Sequence, residues 1–293
     1  MDLFVRILNP LLMAVLGVGV GVLIARRYQQ PWRLYLIGAA TFILSQVLHL
    51  PFNSLVLNRI ISDLGLAGAS QGAPLLAVYL LLGLSAGLFE ETFRWLTYRF
   101  WARQARHWRQ GLMVGAGHGG VEAILVAVLA GATLVQILAL QGVDLATVLP
   151  PEQVPLAQAQ MDAFWAASPA EILLGALERL FAICFHLSLS LLVLRAITRR
   201  SPLWYLAAVG WHTLINAVGL YALQLWGPYG AEGILGLGAL ISLGIIWALR
   251  EPPPEDDAPQ PEPLPPPLTG DELARQTPTG PQAGSLDDSR YSD

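Results

Sequence analysis

Residues 87–100 read GLFEETFRWLTYRF and close an apolar run, APLLAVYLLLGLSA (73–86), that is long enough to enter a bilayer. An ionisable side chain at membrane depth costs on the order of 3 kcal/mol on insertion scales, so Glu90, Glu91 and Arg94 call for a reason. Further along stand His118 inside GAGHGG (115–120), Glu122 one helical turn after it, His186, and HTLIN (212–216) with His212 and Asn216. Carboxylates and imidazoles of this kind exchange protons with water, and an amide can donate to a developing oxyanion. Three imidazoles with a carboxylate also suit a zinc ion, with His118, His186 and His212 as candidate ligands. HExxH is absent, so a metal site would have to be assembled from different helices.

The elements that carry these residues are membrane spans. The chain of 293 residues is 54% hydrophobic and 13% charged, with a mean hydropathy of +0.52. Soluble domains carry about 25% charge. Apolar blocks fall near 8–25, 34–50, 74–98, 110–131, 170–195, 203–225 and 230–249. Each approaches the ~20 residues needed to cross the hydrocarbon. The expected fold is therefore all-α, a polytopic membrane helix bundle of about seven transmembrane helices over 1–250. Residues 251–293 hold eleven prolines and ten acidic residues against Arg275 and Arg290. That composition cannot bury a core and reads as a disordered acidic tail. Cys184 is the single cysteine, so no internal disulfide and no Cys-based metal cluster can form. No basic nucleic-acid patch is present, which leaves the lipid bilayer and a membrane-embedded partner.

Arginines set the direction. Arg26, Arg27 and Arg33 flank one loop, Arg99, Arg103, Arg106 and Arg109 another, and Arg195, Arg199 and Arg200 a third, while the alternate loops hold only Arg59. The positive-inside rule then places the N-terminus outside and the tail in the cytoplasm of a multi-pass cell-membrane protein. SLVLNRIISDLGL (54–66) is amphipathic and is expected on the outer surface.

With that topology the polar residues fall at one depth. Glu90 and Glu91, His118, His186 and His212 each lie about nine or ten residues from a basic loop. At 1.5 Å per residue they sit roughly 13–15 Å inside the cytoplasmic edge. His212 with Asn216, and His118 with Glu122, are i,i+4 pairs that share a helix face. Gly83, Gly87 and Glu91 make a small-residue stripe that lets another helix approach. The glycines around His118 suggest local backbone freedom and room for water or a peptide. Arg94 is the better i,i+4 partner of Glu90, and Glu91, which continues the stripe, is the favoured base. These groups are expected to meet in one cavity open to the cytoplasmic half. His49 and Asn53, at the outer end of the second span, read as structural. Glu178 and Arg179, in the outer half of the fifth, either pair with each other's neighbours, pair with Gln46 and His49, or line a water path.

EETFR (90–94), a histidine on each of the next two spans and HTLIN (212–216) resemble the CAAX prenyl protease, bacteriocin-processing and PrsW superfamily of intramembrane proteases. GAGHGGVEAI (115–124) and SQVLHLPFN (45–53) are most similar to its YhfC branch of intramembrane metalloproteases. The resemblance covers roughly 1–250 and implies an intramembrane endopeptidase acting on a membrane protein or lipidated peptide. It implies that Glu90 and Glu91 form the acid/base pair, that His118 and His186 orient water or substrate, and that His212 with Asn216 forms the oxyanion side. Two residues rather than three separate the glutamate pair from Arg94, as in the PrsW-type pattern, so the spacing leaves open which glutamate is the base. Glutamate-type and zinc-dependent hydrolysis both stay open on the residues alone. A proton-coupled transporter or channel would instead spread polar residues along a path and show inverted repeats. An inactive membrane scaffold would keep the spans without the chemistry.

Overall fold

A computed structural model describes residues 2–251, so all of the tail read above as disordered except Glu251 lies outside the described residues. The architecture is all-helical, with no β-strand among the described residues. The long helices are α1 (Asp2–Tyr28), α2 (Trp32–Phe52), α4 (Gly72–Leu96), α5 (Trp108–Leu140), α7 (Pro169–Thr198) and α8 (Pro202–Ala248), with the short α3 (Asn58–Asp63) and α6 (Val154–Ala166) between them. Six helices are long and apolar enough to cross a membrane.

The last of these supplies two arms. Gly227 has φ 70° and ψ −170°, a conformation open essentially to glycine alone, and Pro228 follows it. Beyond this point the chain doubles back. Trp211 Nε1 donates to Ser242 Oγ at 3.3 Å, and a Cβ at Gly238 would lie 2.7 Å from the Ile215 side chain. Both pairs are centred on residue 227, so the arms run antiparallel and the bundle has seven crossings.

The helix ends sort into two faces. Trp108 Nε1 donates to Ile246 O at 2.9 Å, Arg195 binds Glu251 at 2.5 Å, and Tyr28 meets Trp108 edge-on at 5.6 Å. The arginine-rich turns therefore lie together with the end of α8. Glu251, the first residue assigned to the tail from sequence, is thus tied to the bundle. At the other face Arg6 reaches the carbonyls of Trp165 and Ala167, beside the start of α7. The stretch 54–66 is not a separate surface helix. The turns of α2 widen at Asn53–Leu57, where Asn58 N–H bonds Asn53 O, and run on through α3 to Asp63. Such i→i+5 turns recur at functional sites.

Helix α5 packs against α1, α2 and α7, while α4 and α7 both pack on α8. Small residues set these distances. A Cβ on Gly117 would stand 1.9 Å from Tyr35 O, and one on Gly38 2.0 Å from Val114 O. The glycines around His118 are therefore places of backbone contact inside a continuous helix, and not the loose segment expected from their number. The Gly83–Gly87 stripe does admit a neighbour: Cβ atoms there would lie 2.6 Å from Thr213 O and 3.0 Å from Val209 O of α8. Buried hydroxyls add cross-links, Thr41 to Thr97 at 2.7 Å and Tyr98 to Ser190 at 2.6 Å.

Candidate metal centre and active site

The face of α4 that packs on α8 fixes the two glutamates. Glu91 lies one turn below Gly87 and so points at α8, while Glu90, rotated by about 100° as 3.6 residues per turn requires, points at α2 and α5. Glu91 is fully buried, with one oxygen on Arg94 and the other 2.8 Å from His212 Nδ1. The carboxylate paired with Arg94 is thus Glu91 at i,i+3, not Glu90 at i,i+4 as the spacing suggested. Arg94, also fully buried, extends to His186 Nδ1 at 3.3 Å.

Glu90 takes the opposite side. One oxygen lies 3.0 Å from His118 Nε2 and the other accepts from Gln46 Nε2 at 3.0 Å. Gln46 continues to His49, His49 to Asn53, and Asn53 accepts from Ser85 Oγ. His49 and Asn53, assigned a structural part from sequence, brace Glu90 through this chain. Gln46 was not read as part of the site, although its i,i+3 and i,i+7 spacing to His49 and Asn53 puts all three on one face of the helix.

On α7, His186 Nε2 is 2.5 Å from Glu122, which accepts from Arg179 at 2.6 Å, and Arg179 also binds Glu178 at 2.5 Å. Arg179 therefore belongs to the centre. It stands two helical turns before His186, on the same face. All eight residues named from sequence, Glu90, Glu91, Arg94, His118, Glu122, His186, His212 and Asn216, lie in this network or line its cavity. The imidazoles crowd together, with ring centroids 5.0 Å apart for His118 and His186 and 6.0 Å for His186 and His212.

The donor atoms that come closest are not the three histidines. Glu90, His118 and His186 each offer one ligand atom, and these lie within 4.8 Å of one another. His212, expected as the third imidazole ligand, lies outside this trio and has its Nδ1 on Glu91. The second nitrogen of His118, Nδ1, is buried without a partner. Two imidazoles and a carboxylate in a buried pocket match a common zinc donor set that leaves a position for water. In such a site the Arg179–Glu122–His186 relay would be the outer hydrogen bonding that fixes the orientation of the imidazole. The residues present fit a divalent metal.

A cavity of about 120 Å³ fronts this cluster, lined by Glu90, Glu122, His186, His212 and Asn216 among others. A liquid water occupies about 30 Å³, so the cavity has room for a few. A second space of about 390 Å³ shares the walls Glu178, Ile215, Asn216 and Leu235 and runs on to Pro228 and Glu232. This second space extends toward the turn at Gly227, away from the arginine-rich turns. A larger groove of about 840 Å³ between Trp95, Arg99, Arg200 and Tyr205 includes none of the candidate residues, so size alone does not mark the site.

The chain is similar to known proteins over most of its length. Residues 12–229, which contain every candidate residue above, match the family model described as YhfC intramembrane metalloprotease. A protein of Bacillus subtilis (strain 168) described as uncharacterized membrane protein YhfC is 30% identical over 241 residues, covering 80% of this chain and 91% of that protein. No solved structure matches. Seven apolar crossings, a metal-compatible centre inside them and the match over most of the chain agree: this membrane protein belongs to the YhfC intramembrane metalloprotease family.

Proposed function

We propose that the protein is an intramembrane endopeptidase that hydrolyses a peptide bond of a membrane protein or lipidated peptide, using a zinc ion held by Glu90, His118 and His186. The observation that carries this reading is the convergence of those three donors, from α4, α5 and α7, beside a small cavity that Glu90 and His186 line. Bound there, the metal supplies a Lewis acid for the scissile carbonyl and an acidified water.

The protein's own groups do the rest. Glu122 is placed to accept from His186 Nε2 and is itself held by Arg179, which fixes the imidazole ring. Glu91 accepts from His212 Nδ1 and leaves Nε2 to take a proton from water and return it to the leaving amine. Asn216, one turn along the same helix and on the cavity wall, is placed to donate to the oxyanion. The glutamates thus divide the work, Glu90 at the metal and Glu91 behind the proton carrier. The arginine-rich face is the cytoplasmic one in this reading, since arginines are retained on that side.

The test uses purified full-length protein in liposomes with candidate membrane peptides, comparing wild type and Glu90→Gln, with and without chelator. Cleavage is expected in wild type only, lost on chelation and restored by zinc. Full activity in Glu90→Gln on a genuine substrate overturns the proposal.

A further inference from the structure

The cleft between α7 and the α8 arms carries an unexplained carboxyl group. Glu232 lies on the second arm of α8, in a run that is otherwise apolar, and lines the 390 Å³ space that adjoins the site. Its Oε2 is buried and without a hydrogen-bond partner. Glu178 lines both this space and the cavity at the metal centre. The nearby cation, Arg179, is already shared between Glu178 and Glu122. The cleft therefore holds more carboxylate than guanidinium, in a segment where an unmatched charge is costly.

The register of the α8 arms fixes how far Glu232 stands from the chemistry. Residues paired across the reversal centre on 227, as Trp211 with Ser242, so Glu232 is level with Tyr221 and Ala222. That is five or six residues beyond Asn216, or about 8 Å along the helix at 1.5 Å per residue. An extended peptide advances about 3.3 Å per residue, so the same distance covers two or three substrate residues.

We infer that this cleft is the substrate-binding groove and that Glu232, supported by Glu178, recognises a cationic side chain two or three residues from the scissile bond. The inference rests on the proteolytic reading for the position of that bond, but the cation preference is a property of the cleft alone. Arginine or lysine entering from the arginine-poor side supplies the missing countercharge, and the apolar walls Leu174, Leu220 and Leu223 accept its neighbours. Glutamate or aspartate at that substrate position is repelled.

Binding tests this without hydrolysis. Dye-labelled, N-acetylated apolar decapeptides carry a single arginine, or its neutral isostere citrulline, at each successive position. Their affinity for the full-length Glu90→Gln protein in detergent micelles is read by fluorescence anisotropy. The expected result is at least tenfold tighter binding of arginine over citrulline at one or two adjacent positions, with the difference abolished in the added variant Glu232→Gln. Equal binding of both peptides at every position, weak binding included, overturns the inference, and so does a preference that survives Glu232→Gln. The arginine–citrulline comparison needs only the parent protein, so misfolding of the Glu232 variant does not block the test. Preference without cleavage by wild type would sink the protease reading and leave the groove. Cleavage without preference would sink the groove alone.

Discussion

Glu122→Gln separates the metal centre from the fold. The carboxylate stands between His186, at 2.5 Å, and Arg179, at 2.6 Å, and its side chain is 20% exposed, on the cavity wall. Glutamine keeps the shape and one acceptor oxygen, so it can satisfy Arg179 or His186 but not both with charge. Removing the outer partner of a ligating histidine typically weakens metal binding 10- to 100-fold. At about 1.4 kcal/mol per tenfold that is roughly 1.4–2.8 kcal/mol of zinc affinity. The metal-free fold should lose far less, because Arg179 retains Glu178 at 2.5 Å. Glu91→Gln is the contrasting variant. It leaves Arg94, fully buried, without its carboxylate, and breaking such a pair from one side costs about 3–5 kcal/mol. The assay is zinc competition against a chromophoric chelator, paired with thermal melts of the metal-free proteins in detergent. The reasoning fails if Glu122→Gln binds zinc as tightly as wild type, or if its metal-free form melts as low as Glu91→Gln.

Other outcomes follow from the same geometry. His212→Ala removes the proton carrier held by Glu91 and should lower the cleavage rate by about 10²–10⁴-fold while zinc binding changes little, checked by turnover and metal content on one preparation. Gly117→Ala forces a methyl to within 1.9 Å of Tyr35 O and should lower the melting temperature by several degrees or prevent accumulation, whereas Gly131→Ala, with open space around it, should be neutral. Reporter fusions at residue 105 should read cytoplasmic and at residue 150 external, and a cytoplasmic signal at 150 would reverse the assigned orientation.

Much of this centre was legible because depth along a span can be counted. A basic turn marks the membrane edge, and a fixed rise per residue then sets Glu90, His118, His186 and His212 level before any packing is known. Rotation was harder. The i,i+4 rule favoured Glu90 for Arg94, yet the Gly83–Gly87 stripe carried the deciding information, since a helix docked on α8 along that stripe must turn Glu91 to His212. The glycines beside His118 misled because composition cannot distinguish a loose backbone from one pressed against another. Only the approach of Tyr35 and Gly38 does that. Glu232 escaped notice because its register depends on where the chain reverses, and a run of apolar residues with one acid in it gives no sign of what lies across the fold.

The reversal at Gly227 also bears on how the protein is made. A turn centred on one glycine and one proline offers no hydrophilic loop that could cross the bilayer ahead of a following segment. The first arm of α8 carries His212 and Asn216 and is a poor lodger in lipid alone, while the second presents Gly238, Ala239 and Ser242 as a small-residue face and carries Glu232 as its one acid. The two are expected to leave the translocon together, folded back on each other, with the second arm covering the cavity side of the first. Biogenesis of the centre is then tied to synthesis of the segment after it. A ribosome stalled near residue 226 would hold every candidate ligand and still lack the second arm, whose Leu235, Gly238 and Ala239 wall the cavity beside His212.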